Sequence, residues 1–192
     1  MDDFNMYLKG ANLKLIRDVC MHKGILKQYA RNEYFAKIGD VNARVGYIKR
    51  GTFRYTCFNP TENKEYSTGF AFEKEFVADY PACLYQVVSE ISIQAITPCE
   101  VYVCDDIREI LQAFNNDNDA LFQARINAEQ ILFCVNRNYI DLYRKTAEER
   151  YREIINRCPD ILQILTLKEL SSYLHITPIT MSKIRRKITF GD

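Results

Sequence analysis

Residues 166 to 188, TLKELSSYLHITPITMSKIRRKI, decide how this chain is read. Thr166-Leu-Lys-Glu169 is a capping-box pattern, in which the threonine side chain takes the backbone N–H of the glutamate and the glutamate reaches back, so a helix opens at Leu167. Thr177-Pro178 starts a second helix, with threonine as cap and proline at the first helical position, where its missing N–H costs nothing. Between the two stands only the break His175-Ile176-Thr177. Leu167, Leu170, Leu174, Ile176, Met181 and Ile184 fall where both helices face inward, leaving Thr177, Ile179, Thr180, Lys183 and Arg186 for solvent or a DNA major groove. The pattern predicts a helix-turn-helix, although a packing module of three helices with no DNA partner carries the same inward face.

Upstream, Thr146-Ala-Glu-Glu149 is another capping box, opening the helix AEERYREIINRC, which Cys158-Pro159 closes because the residue before proline avoids helical backbone. Residues 145–192 therefore read as a compact all-α module, the helix-turn-helix domain. They hold nine Lys/Arg against six Asp/Glu, and four of the nine are Lys183, Arg185, Arg186 and Lys187. With a net charge of only +1 over the whole chain, this local excess suits a phosphate-binding surface, and equally a solvated helix face.

Before this domain, residues 121–143 form a long helix with two apolar rows. Leu121, Ala128, Val135 and Leu142 recur every seven residues with Ala124 and Ile131 between them, while Ile126, Phe133 and Ile140 make a second row. Two apolar faces need two partners. The N-terminal domain can cover one and a second copy of the helix the other, so residues 115–144 are assigned to homodimerisation; burial of both faces within a monomer is the other arrangement.

Residues 1–114 have a different texture. Apolar residues between 4 and 30 suggest one or two short helices. From 31 to 104, short β-prone runs (VGYIK, TFRYTCF, EYSTGF, EISIQAI, CEVYVC) alternate with turn signals at Ile38-Gly39-Asp40, Arg50-Gly51, Asn59-Pro60-Thr61 and Thr97-Pro98, as in an antiparallel barrel or sandwich. Asp105 and Asp106 then offer a cap for the helix IREILQAF. The fold class is α+β: an antiparallel β-roll, a long dimerisation helix and an all-α helix-turn-helix domain.

Composition narrows the function. No apolar run approaches the ~20 residues that cross a bilayer, and the start MDDFNMYLKG lacks the basic character of a signal peptide, so a cytoplasmic protein with no membrane partner is expected. Seven cysteines, with no C-x-x-C pair, read as reduced packing residues rather than a disulfide framework or a metal site. The two histidines, His22 and His175, are too few for a barrel oxygenase, and no phosphate loop, dinucleotide fingerprint or nucleophile elbow occurs. No enzyme, metal or cofactor is expected.

Taken together, VGYIKRGTFRY, EFVADYPACL, ISIQAITPCEVYVC, AEERYREII and LSSYLHITPITMSKIRRKI make the chain resemble the Crp/Fnr family of transcription regulators, in particular short members without a long C-terminal wing. The resemblance implies a cyclic-nucleotide-binding-like β-roll (a double-stranded, cupin-like β-helix), a dimer helix and a recognition helix placed in the major groove. It implies DNA binding through Thr177, Pro178, Ile179, Thr180, Ser182, Lys183, Arg185 and Arg186, with double-stranded DNA and a second copy as partners and RNA polymerase and a small-molecule effector as further candidates. Thr177 and Thr180 match phosphate-positioning hydroxyls and Lys183 a base-reading position. Pro178 and Ile179 depart from the family's usual Arg and Glu, and Ile179 offers only methyl contact to thymine. His175 stands where the family favours glycine.

The family's pocket for cyclic AMP pairs a Gly-Glu with a downstream Arg-Ser. The matching positions, Ala78-Asp79 with neighbouring Tyr80, and Ser89-Glu90, lack the arginine and add a repelling carboxylate, so cyclic AMP is not the expected effector. Asp79 also reads as the cap of a short helix at YPACLYQ. The alternative function is a ligand-binding or interaction module of the same fold that has lost DNA binding.

Overall fold

The computed structural model describes residues 4–8, 11, 13–115 and 117–190. They divide into two compact units: Gly10–Ile131, and Met1–Lys9 with Leu132–Asp192.

The first unit opens with α1 (Lys14–Lys23) and continues through β1 (Ile25–Tyr29), β2 (Tyr34–Ala36), β3 (Val45–Arg50), β4 (Phe53–Asn59), β5 (Lys64–Ala71), β6 (Phe76–Val77), α2 (Tyr80–Tyr85), β7 (Ser92–Ala95) and β8 (Cys99–Cys104). The strands form two four-stranded antiparallel sheets ordered β1-β8-β3-β6 and β2-β7-β4-β5, the β-roll expected from the strand texture. Residues 25 to 30 do not continue the N-terminal helix. They supply the edge strand β1, paired along its length with β8 from Ile25 opposite Val103 to Tyr29 opposite Cys99.

Alternation along the strands sends one side of each sheet into a shared core of Tyr29, Ile48, Val77, Val101 and Val103 from one sheet and Phe35, Phe53, Ala71, Ile93 and Ala95 from the other. Three rings fill its centre: Tyr29 lies 5.8 Å from Phe35 and 5.6 Å from Phe53, and the last two are 6.0 Å apart. Gly51 turns β3 into β4 at φ +102°, and an added Cβ would fall 2.5 Å from the Cys99 sulfur and 2.6 Å from the Pro98 carbonyl, so glycine is required there. A second cluster packs α1 on the outside of the roll through Val19, Cys20, Val45, Cys83, Cys104 and Ile110. Its cysteines are buried and free, and burial holds the Cys20 thiol far above its usual range and pushes Cys83 up to about 11. They act as small apolar side chains.

Helix α3 (Arg108–Asn115) follows, its first turn held by Asp106 Oδ1, which accepts from the Arg108 N–H at 2.9 Å. Asp117 caps α4 (Asn118–Arg144) by accepting from the N–H groups of Asp119 and Ala120. The boundary between the units falls within α4.

The C-terminal unit continues with α5 (Ala147–Arg157), α6 (Ile161–Ile164), α7 (Leu167–Tyr173) and α8 (Pro178–Phe190). Both capping boxes form as read, on Thr146 with Glu149 and on Thr166 with Glu169. The single turn α6 was not foreseen; its Ile161 and the following Leu165 are buried, as are Tyr151, Ile154, Leu170, Leu174 and Met181 of the same unit. The N-terminal segment groups with this unit and not with the β-roll, because Phe4 is 3% exposed and its ring packs 5.5 Å from that of Tyr173 on α7.

Candidate nucleic-acid interface

The proposed reading surface depends on how α7, the break and α8 are held. Thr166 Oγ1 accepts the Glu169 N–H at 3.2 Å and Glu169 Oε2 accepts the Thr166 N–H at 2.7 Å, which fixes where α7 begins. After Leu174 the backbone turns left-handed at His175, φ +55°, a conformation that costs a non-glycine residue about 1 kcal/mol. The turn's N–H groups are nevertheless paired, His175 with the Ser172 carbonyl at 3.1 Å and Ile176 with that of Ser171 at 3.0 Å. Thr177 Oγ1 then accepts the Thr180 N–H at 3.1 Å and starts α8.

Leu170, Leu174, Met181 and Ile184 are buried as expected, while Leu167 and Ile176 are half-buried at the edge of the same core. Thr177, Pro178, Ile179, Thr180, Ser182, Lys183 and Arg186 are exposed. Ile179, Lys183 and Arg186 follow one another at helical spacing on one face of α8. The Thr177 and Thr180 hydroxyls lie 2.9 Å apart, and a hydroxyl pair of this kind keeps one O–H free to donate. Ser182 donates to the Pro178 carbonyl at 2.9 Å.

The four cations of the basic run divide in two. Among the described residues neither Lys183 nor Arg186 meets a carboxylate. Arg185 is half-buried and hydrogen-bonds Tyr151 of α5, whose phenol is raised by burial while the Arg185 charge works against the rise. Lys187 Nζ lies 3.0 Å from Glu148, whose carboxyl is held below its usual range by Arg152 and by Lys187. Arg185 and Lys187 thus tie α8 to α5. Arg150 does the same for α7, donating to the Leu174 carbonyl at 2.9 Å and to the Lys145 carbonyl at 2.7 Å. Sequence reasoning missed Arg150 and Tyr151 as positioning residues; their partners lie on other helices and leave no trace in local spacing.

The helix assigned to dimerisation shows its apolar rows at the surface. Leu121, Ile131, Val135 and Leu142 are 50%, 39%, 54% and 42% exposed, Ala128 is exposed and Ala124 half-buried. Phe133 and Ile140 of the second row are exposed as well.

In the β-roll, Asp79 caps α2, accepting the Ala82 N–H at 3.4 Å. Ser89 hydrogen-bonds its other oxygen, and both side chains are buried. Two of the five effector candidates therefore come together, and they satisfy each other. Ala78 is half-buried and donates its N–H to the Tyr55 hydroxyl at 3.3 Å, whereas Tyr80 and Glu90 are exposed. Among the described residues no three His, Cys, Asp or Glu side chains gather that could hold a metal ion, and no helix is long and apolar enough to cross a membrane.

No family model and no curated protein matches the sequence. Solved structures do match. FixK2 of Bradyrhizobium japonicum is 15% identical with a TM-score of 0.73, the match covering 88% of this chain and 86% of that one. CLP of Xanthomonas campestris, a c-di-GMP-responsive global regulator, is 14% identical with a TM-score of 0.68, over 93% and 92% of the two chains. A CooA variant of Carboxydothermus hydrogenoformans is 15% identical with a TM-score of 0.70, over 90% of this chain and 78% of that one. The arrangement is that of a β-roll domain joined through a long helix to a helix-turn-helix. It is the fold of the Crp/Fnr regulators.

Proposed function

We propose that the chain is a sequence-specific DNA-binding transcription regulator of the Crp/Fnr type, acting as a homodimer through α4 and without catalytic activity. The observation that carries this reading is the face of α8 on which Ile179, Lys183 and Arg186 stand exposed, beside the Thr177 and Thr180 hydroxyls, while the flanking cations Arg185 and Lys187 are spent on holding the helix. Exposed cations and hydroxyls beside a helix N-terminus suit phosphate and groove contact, and a surface kept free of carboxylate partners suits a polyanion. The exposed apolar rows of α4 support self-association, since a contiguous apolar stripe on a helix calls for a second helix.

Cyclic AMP does not fit the β-roll as its effector. Ser89 stands where an arginine would neutralise the phosphate, and it is bonded to the carboxylate that would take the ribose hydroxyl.

The test is retention on duplex DNA at rising salt. Binding that is tight at low ionic strength and falls linearly in log affinity against log salt supports the reading. No retention at low salt, from a folded dimer, overturns it in favour of a module that has lost DNA binding.

A further inference from the structure

The β-roll holds a buried hydrogen-bond donor with no partner, one residue beyond the bridge of Val41 with Val88 and so near the Asp79 and Ser89 pair. Asn42 is 3% exposed. Its Oδ1 accepts from the Arg44 backbone N–H at 2.8 Å and from Arg44 Nε at 3.2 Å, so two donors fix which arm of the amide is oxygen and leave Nδ2 as the other. That Nδ2 is buried and has no hydrogen-bond partner. A buried amide nitrogen left unpaired is costly, so one in a native structure calls for a partner, whether water, an ion or a ligand.

Beside it stands a half-buried guanidinium. Arg44 lies over the Phe35 ring, 5.7 Å from its centroid, and hydrogen-bonds the Tyr29 hydroxyl. Among the described residues it meets no carboxylate. The carboxylates whose charge reaches Tyr29 are committed elsewhere: Asp105 is bound by Lys27 at 2.8 Å, and Glu33 accepts the Ala30 N–H at 2.8 Å. The Tyr29 hydroxyl, accepting from Arg44, keeps its own O–H to donate. The backbone of this locus is well anchored, since the Arg44 carbonyl accepts from Cys83 Sγ at 3.1 Å and the Ala43 carbonyl from the Ile107 N–H at 2.9 Å.

We propose that Asn42 Nδ2, the free guanidinium N–H groups of Arg44 and the Tyr29 hydroxyl form a binding site for a small oxyanion, a carboxylate or phosphoryl group carried by the effector. Three kinds of donor and one full positive charge gather there, and among the described residues no carboxylate pairs with that charge, the composition an oxyanion completes and a neutral ligand does not. The site deepens the regulator reading by giving its β-roll a ligand class. The two fail separately, because anion binding is measured without DNA.

The experiment follows the Asn42 side-chain amide and Arg44 Nε–H signals by NMR in the unmodified full chain, titrated with inorganic phosphate and, separately, acetate against chloride at constant ionic strength. Saturable movement of both signals with either anion is expected, phosphate alone identifying a phosphoryl ligand and acetate alone a carboxylate. Calorimetry should then show binding weakened at least about tenfold in Arg44→Gln and less in Arg44→Lys, which keeps the charge but loses the fork. Signals that do not move, or that move only as they do with chloride, overturn the proposal, as does an Arg44→Gln protein that folds and binds as tightly.

Discussion

On the proposed α4 seam, replacing Val135 by glutamate should convert a dimer to a monomer. Val135 keeps 54% of its surface in the single chain. Full burial of a valine side chain contributes about 1.5 kcal/mol, so covering the remaining half contributes about 0.8 kcal/mol per protomer and, by two-fold symmetry, about 1.6 kcal/mol per dimer. Glutamate forfeits that and sets a carboxylate in each half of the seam, where unpaired charges cost several kcal/mol. A total near 5 kcal/mol raises the dissociation constant by between three and four powers of ten, enough to carry a micromolar dimer into the millimolar range. Sedimentation velocity over a dilution series reads the change directly, and circular dichroism checks that α4 stays helical. Val135→Leu, which preserves an apolar surface, should remain dimeric. A folded Val135→Glu protein with unchanged dimer mass at every dilution would refute the assignment of the Leu121, Val135, Leu142 row to the interface.

Other outcomes follow from the same structure. Arg186→Ala should weaken binding to every duplex and lower the salt slope by about one unit, whereas Lys183→Ala should cost about 1 to 3 kcal/mol at a cognate site and relax one base pair per half-site; equal losses on cognate and scrambled duplexes would reduce Lys183 to a phosphate contact. Calorimetric titration with cyclic AMP should give no binding heat, and a micromolar dissociation constant would show that the Asp79 and Ser89 pair opens to admit it. Phe4→Ala removes a buried ring and should destabilise the C-terminal unit by about 3 to 5 kcal/mol, seen as faster amide exchange in α7 with exchange in β4 and β8 unchanged. Asp141 is held below its ordinary value by hydrogen bonds from Lys145 and Arg144, so it stabilises the fold above that ordinary value and the contribution fades as pH falls through the lower, folded one. The acid melting curve of Asp141→Asn should therefore converge with that of the parent below the carboxylate range and separate from it at neutral pH; curves that run parallel would remove Asp141 from the acid response.

Signals written in adjacent residues were legible. Thr146, Thr166, Thr177 and Asp79 each cap the helix that their spacing announced, because a cap is a contact across three residues. The β-roll was legible too, since alternation and turn residues repeat through it. β1 was not: Ile25 and Leu26 are followed by Lys27 and Gln28, a run too short and too polar to separate strand from helix without knowing that β8 lies beside it. The same limit hid Phe4 on Tyr173, Arg185 on Tyr151 and the unpaired Asn42 amide, all of which arise between residues far apart in the chain or from a partner that is missing. His175 was legible as an oddity, and its left-handed backbone supplies the reason.

The seating of Phe4 against α7 makes the β-roll an insertion: the chain leaves the C-terminal unit after residue 9 and rejoins it at residue 132. If those roughly 120 residues were an unfolded loop, bringing their ends together would cost on the order of 4 kcal/mol in chain entropy, growing only as the logarithm of length. The contact of Phe4 with Tyr173 therefore closes a chain loop that spans the whole roll, and it draws its own entropy cost from a segment that carries its own fold.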